Sequence, residues 1–431
     1  MGATSFLRKL IGGGRDDVDR RIEELVSHCN ALLAESGEYA SMAIARDAHA
    51  AYEVLDDRGR EAFFDLLASR YSPSPDAVAR AAAAYQSNPS PDKLIELEEI
   101  VEPARQELFR RLNMAQGGTA ALVNMRKTIL KGLREHPAWK AIDYDLMHLL
   151  RSWFNRGFLK MERIDWRTPA LVLEKLIEYE AVHAIRGWWD LRRRLEGDRR
   201  CFAFFHPQLP DEPIIFIEVA LTRGMSAVVQ PLIDKGSPVV SPTGADCAMF
   251  YSITNCQEGL RGISFGNLLI KQVAEELKRE FPHLRRFATL SPIPGFRRWL
   301  ESNRFNDEVG ALLTRLKDAA WHLSEVPEAL QKLLMRLCAH YLMNVKQAAG
   351  GNAEPLDPVA RFHLGNGAAL ERLNWMGDSS EQGLARSAGI MANYVYWLAE
   401  VERNHERYFR EHHIVASPAI EKLARECPQP A

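Results

Sequence analysis

The chain has 431 residues, 46% of them hydrophobic and 26% charged, with 55 basic against 57 acidic side chains and a net charge of −2. That length suits two or three domains, and the near-neutral balance excludes the polybasic field that nucleic-acid binding needs. Six cysteines without a CxxC pair or a regular spacing argue against structural zinc and against a disulfide framework, and they fit a reducing compartment.

No apolar run approaches the ~18 residues of a membrane span. Met1–Gly14 lacks the apolar stretch and small-residue cleavage site of a signal peptide, and the end, Pro428–Ala431, is no peroxisomal address. A cytoplasmic protein with no membrane partner is the expectation. Residues 15 to about 160 read as helix after helix. Asp16 and Asp17 precede a periodic stretch through Ile22, Leu25, Val26, Leu32 and Leu33. Ser74-Pro75-Asp76 and Ser90-Pro91-Asp92 each combine a serine cap, a first-turn proline and an acid at the positive end of the helix dipole. The second start opens a long amphipathic helix through Leu94, Leu97, Ile100 and Leu108. Gly117-Gly118-Thr119 interrupts the chain before a helix with Leu122, Met125, Ile129 and Leu133. A further helix runs from Asp143 to a stop near Gly157.

Past residue 160 the pattern changes. After a helix around Leu171–Leu191 comes a basic run, Arg192, Arg193, Arg194, Arg199 and Arg200, which reads as a solvated helix end or as a phosphate contact. Strand patterns follow at Cys201–Phe205, Pro213–Leu221 and Ala248–Thr254; the second is β-branched and nearly continuous, as a central strand should be. The loop Asn255–Gly266, a helix from about Asn267 to Glu280 and a strand Arg286–Leu290 come next. The remainder reads as helical, with a Gly/Asn/Pro loop at 350–358.

Four segments carry chemistry. The loop Gln257-Glu258-Gly259-Leu260-Arg261-Gly262-Ile263-Ser264-Phe265-Gly266 has three glycines within eight residues ahead of a helix start. Backbone N–H groups there can converge on an anion, so it reads as a pyrophosphate cradle or as a tight packing turn. It is neither a Walker loop nor a dinucleotide fingerprint. In Leu290-Ser291-Pro292-Ile293-Pro294-Gly295, Pro292 keeps Ser291 extended at a strand's carboxyl end, where ligands of open sheets bind. His363, among apolar neighbours before Gly365-Asn366-Gly367, is a candidate proton donor or a satisfied core histidine. Asn393, Tyr394 and Tyr396, read as lying on a late helix, either line a pocket with donors or belong to the core. His405, His412 and His413 fit no common zinc spacing and read as helical surface.

Together the stretches RSWFNRGFLKMERIDWRTPA, EAVHAIRGWWDLRRR, FYSITNCQEGL, GNLLIKQVAEELKREFPHL, LSPIPGF, DPVARFHLGNGA and GIMANYVYWL, in order from about residue 150 to 400, resemble the malonyl-CoA decarboxylase family. The resemblance implies an α+β protein with a helical N-terminal oligomerisation domain, here residues 1–160. Residues 161–431 would form a catalytic domain like the GCN5-related N-acetyltransferases, in which the acyl arm passes between two splayed strands. It implies contacts to malonyl-CoA from Arg261, Gly262, Ile263, Ser264, Phe265, Gly266 and Asn267, and also from Ser291 and His363. Ser291 would be the proton acceptor and His363 the proton donor, with Tyr396 in the same pocket. Animal members carry a glutamate where this chain has Ser264. The family also implies a homodimer or homotetramer, with acetyl-CoA as product. No metal, biotin or pyridoxal phosphate is expected, because the thioester is itself the electron sink. An acyl-CoA-dependent N-acyltransferase on the same fold is the rival reading.

Overall fold

In the computed structural model the described residues are 3–263, 269–318, 321–322, 326–347 and 354–428. The chain forms two compact units. One comprises Met1–Leu159, His206–Pro210 and Gln257–Ser264; the other comprises Lys160–Phe205, Asp211–Cys256 and Phe265–Ala431.

The first unit is helical. Its helices include Glu38–Glu53, Asp57–Ser69, Pro75–Ser87, Pro91–Val101, Ala104–Leu112, Gly118–Gly132 and Lys140–Trp153. The two serine caps form as read: Ser74 Oγ accepts from the Ala77 N–H and Ser90 Oγ from the Lys93 N–H, each with proline in the first turn. The long helix expected from Leu94 to Leu108 is two helices, because Pro103 has no N–H to continue the ladder. Phe63, Phe64, Phe109, Leu122, Ile129 and Leu146 are fully or almost fully buried in this unit.

The second unit is built on a seven-stranded sheet in the order β1-β2-β3-β4-β5-β7-β6. The strands are β1 (Lys160–Ile164), β2 (Arg199–His206), β3 (Leu209–Thr222), β4 (Cys247–Asn255), β5 (Arg286–Thr289), β6 (Ala369–Asn374) and β7 (Met391–Val395). β3 and β4 are antiparallel and buried along most of their length, which explains their continuous apolar run. The fold class is therefore the expected one, a helical part followed by a mixed α/β part.

The parallel pair β4–β5 shapes the site. It runs only from Cys247↔Arg286 to Phe250↔Thr289. After the bond from Leu290 N–H to the Phe250 carbonyl, 2.9 Å, the chain leaves β4 but stays paired with β7, from Ala288↔Val395 on to Ser291↔Ala392. β4 continues along β3 to Asn255, with Tyr251 as the extra residue of a bulge between Glu218 and Val219. The two strands thus splay, and among the described residues no backbone pairing bridges them beyond that point.

Four readings are corrected. Met391–Val395 is a strand, not part of a helix, and β1 and β6 are strands where none was expected. A short apolar run cannot be assigned to helix or strand by periodicity alone, and here pairing with β5 and β6 decides. The helix expected around Leu171–Leu191 is two, Ala170–Tyr179 and Trp188–Arg194. The basic run is neither solvated nor a phosphate contact beyond Arg192. Arg193 and Arg199 pair with Asp198, Arg194 with Glu218 and Arg200 with Glu280, and all four arginines are buried. Burial pushes the Glu218 carboxyl up to about 8, with the nearby Arg194 charge pulling the other way. Among the described residues no helix is long and apolar enough to cross a membrane.

Removing one partner of a buried ion pair strands the other in a medium that cannot solvate it. Arg194→Met is expected to lower the unfolding free energy by about 3–5 kcal/mol. Arg192→Met, at an exposed position, should change it by less than about 0.5 kcal/mol. Urea denaturation followed by circular dichroism measures both.

Candidate active site

Ser291 is held from two sides. Its N–H donates to the Ala392 carbonyl at 2.8 Å, and its carbonyl accepts from the Ala392 N–H at 2.9 Å. Pro292 then ends the ladder, since it has no N–H to offer. Ser291 is 4% exposed and sits at the carboxyl end of β5, as the sequence led one to expect of its backbone.

His363 arrives from elsewhere in the chain. It lies in the last turn of the helix Pro358–Gly365, which Asp357 caps: its Oδ1 accepts from the Val359 and Ala360 N–H groups at 3.0 and 2.9 Å. Asn366 closes the helix and Gly367, at φ +81°, turns the chain away. Tyr394 and Tyr396 follow from the strand period of two, which sends alternate residues to one face. The Tyr394 ring stacks on His363 with centroids 4.6 Å apart. The Tyr396 hydroxyl lies 2.8 Å from His363 Nδ1. Asn393 faces away from them and bonds the Thr289 carbonyl at 2.7 Å.

The result is one line of hydrogen bonds. Ser291 Oγ is 2.9 Å from His363 Nε2 and donates to Thr289 Oγ1 at 2.8 Å. Thr289 Oγ1 also accepts from the Tyr394 N–H at 3.2 Å. A hydroxyl has a single hydrogen, so with Ser291 donating to Thr289 the Nε2–H of His363 donates to Ser291 Oγ. Nδ1 then accepts from Tyr396. Proton positions thus run in one sense, Tyr396 to His363 to Ser291 to Thr289.

Burial governs the electrostatics. His363 is held neutral, its pKa driven down to about 3, because desolvation penalises the imidazolium. This outweighs the helix C-terminus, which would favour a cation. Burial raises the Tyr396 phenol well above its ordinary value. It also raises the Asp357 carboxyl to about 6, against the capping N–H groups, which favour its charge.

The line ends on a pocket of about 220 Å³ between the parted strands. Phe250, Leu290, Val359 and Phe362 give it apolar walls, and Ser252, Ser291 and His363 add polar groups. Sequence reasoning named Ser291, His363 and Tyr396, and the fold brings all three together. It missed Thr289, whose only signal is its place two residues before Ser291 on one strand. It also missed Asp357, whose signal was the Asp-Pro helix start. Arg261 and Gly262 are exposed and Ile263 is buried, in the first unit. Ser264, Phe265, Gly266 and Asn267 lie outside the described residues. His405 lies on the helix Val401–Glu411 with its Nδ1 2.6 Å from the Gly365 carbonyl.

A buried hydroxyl–imidazole–phenol line under a pocket between splayed strands is an arrangement of the kind found in enzyme active sites. Residues 71–154 match the malonyl-CoA decarboxylase N-terminal domain model and residues 157–431 the C-terminal domain model. The chain belongs to the malonyl-CoA decarboxylase family. It is 46% identical to the solved malonyl-CoA decarboxylase of Rhodopseudomonas palustris, with a TM-score of 0.89 and 93% of this chain and 99% of that one covered. The malonyl-CoA decarboxylase structure from Agrobacterium vitis is 44% identical, with a TM-score of 0.85 and the same coverage. A mitochondrial malonyl-CoA decarboxylase of Anser anser anser is 35% identical over 439 residues, 93% of this chain and 82% of that protein.

The neutral state of His363 has a measurable consequence. An unfolded histidine protonates below pH ~6.5, whereas the folded one stays neutral down to about 3. In that window the unfolded chain binds more protons, so the contribution of His363 to stability is present above pH ~6.5 and is lost as pH falls. The difference in unfolding free energy between wild type and His363→Gln should therefore shift against the wild type by up to about 1.4 kcal/mol per pH unit between pH 6 and 4. Urea unfolding of both proteins at several pH values measures it; a pH-independent difference would mean the folded imidazole titrates normally.

Proposed function

We propose that this chain converts malonyl-CoA to acetyl-CoA and CO2, with Ser291, His363 and Tyr396 as its catalytic residues. The observation that carries the reading is the line Tyr396 Oη–His363 Nδ1, 2.8 Å, and His363 Nε2–Ser291 Oγ, 2.9 Å, at the pocket between β4 and β5, in a chain of this family.

The chemistry follows from charge. Decarboxylation breaks the bond between the malonyl methylene and its carboxylate; the electron pair moves toward the thioester carbonyl oxygen and CO2 departs. The starting carboxylate is concentrated charge and the departing CO2 has none. Apolar walls such as Phe250, Leu290 and Phe362 therefore favour the reaction by withholding water from the carboxylate. The enolate needs a proton on carbon. A neutral imidazole is a weak acid, but a thioester enolate is a far stronger base, so the Nε2–H of His363 suffices. Ser291 Oγ accepts that hydrogen at rest and keeps it aimed at the pocket. The Tyr396 hydroxyl donates into Nδ1 and stabilises the electron-rich ring that donation leaves behind.

The same proposal assigns the nucleotide end of the substrate to the glycine loop from Arg261 to Asn267. It assigns assembly of identical copies to the helical unit, supported by the helix Pro91–Val101, which has no buried residue and leaves Leu94, Ile95 and Val101 exposed. The cytoplasm is its proposed compartment, supported by six cysteines that are all buried free thiols.

The decisive experiment is incubation with malonyl-CoA and no acceptor, with acetyl-CoA and CO2 quantified. Wild type is expected to release both. Ser291→Ala and His363→Ala should each lose roughly 10²–10⁴-fold in kcat. Tyr396→Phe, which removes one hydrogen bond to the imidazole, should lose about tenfold. Wild-type turnover in either alanine variant would remove that residue from the mechanism. For assembly, Ile95→Glu should lower the mass measured by light scattering; an unchanged mass would place the interface elsewhere.

A further inference from the structure

The glycine loop is built onto a buried arginine. Arg126, on the helix Gly118–Gly132, has a side chain only 2% exposed. Its Nη1 donates to the Gly259 carbonyl at 2.7 Å and to the Arg261 carbonyl at 2.9 Å. Its Nε donates to Asp143 Oδ1 at 2.8 Å, which fixes the guanidinium plane. Asp143 stands on the neighbouring helix Lys140–Trp153. The loop also touches the helix directly: a Cβ on Gly259 would lie 2.0 Å from the Val123 carbonyl oxygen, so only glycine fits. These residues all belong to the helical unit.

This anchoring has a direction. In a trans peptide the carbonyl of one residue and the N–H of the next point opposite ways, and the chain has no cis bond among the described residues. With the Arg261 carbonyl drawn onto Arg126, the Gly262 N–H is turned to the side away from the guanidinium. Gly262 sits at φ +81° with open space where a side chain would be. Glycine is thus required there by the backbone turn, and the turn leaves room for a ligand to approach the peptide.

We infer that Arg126, oriented by Asp143, is a positioning residue for binding the phosphate-bearing end of the coenzyme A thioester. It touches no substrate atom. It holds the carbonyl side of the loop so that the N–H side faces the anion, which spares the ordering cost that a slack loop would pay on binding. This deepens the function proposed above and rests on it. Lysine at position 126 keeps the charge but cannot reach two carbonyls and a carboxylate from a planar fork.

The test compares two substrates, malonyl-CoA and malonyl-N-acetylcysteamine, which has the same reacting group but no nucleotide. Arg126→Lys is expected to raise KM for malonyl-CoA about tenfold or more with kcat within about threefold, the pattern of lost uniform binding. Its kcat/KM for the truncated thioester should move less than about threefold. Asp143→Asn should give a smaller rise of the same kind, and Gly259→Ala a rise like that of Arg126→Lys. An unchanged KM for malonyl-CoA in folded variants overturns the inference, and so does an equal loss on both thioesters, which would mean a merely structural role. Should Arg126→Lys fail to fold by circular dichroism, Asp143→Asn carries the same comparison. Wild-type protein that leaves malonyl-CoA intact would instead refute the proposed function, so the two failures are distinguishable.

Discussion

The parting of β4 from β5 is the constraint on which the site depends. Two parallel strands that stay paired leave no room between them. Here pairing with β4 stops at Phe250 and Thr289, while the chain is held on β7 by the two backbone hydrogen bonds between Ser291 and Ala392. That parting opens a pocket and presents Ser291 at its edge, and the retained pairing with β7 brings its tyrosines to the same place. His363 is then fixed from below by stacking on Tyr394 and from the side by Tyr396. A site whose members come from separate segments needs such rigid backing, because its hydrogen-bond geometry is set by how those segments pack.

Both ends of the second unit use buried polar groups, but toward different outcomes. Around Arg194 and Glu218 a guanidinium and a carboxyl are enclosed together, and their attraction only partly offsets the desolvation that raises the carboxyl. Around His363 no opposite charge is enclosed; the ring has neutral partners, Tyr396, Ser291 and the face of Tyr394, and it stays neutral. The first arrangement stabilises a framework. The second keeps a neutral imidazole dry beside the pocket between β4 and β5. The helical unit has its own buried guanidinium, Arg126, spent on backbone carbonyls of the glycine loop. Each arginine is enclosed only where acceptors are already arranged to receive it.

The sequence by itself determined the order of helical and mixed parts, both serine-capped helix starts, the central strands β3 and β4, and Ser291's extended backbone before Pro292. These follow from local rules: caps and prolines act within a turn, and a doubly buried strand must be continuously apolar. It also marked Ser291, His363 and Tyr396, through motifs that resemble a family. Tertiary structure alone decided what local rules leave degenerate. Met391–Val395 became a strand because β5 and β6 offered it partners. The arginine run went inward because Asp198, Glu218 and Glu280, distant in most cases along the chain, supplied counter-charges. Thr289 and Asp357 acquired roles only once folding set them beside Ser291 and beneath the His363 helix. Hydrogen bonds and ion pairs act over a few ångströms, and which residues lie that close is a property of the fold.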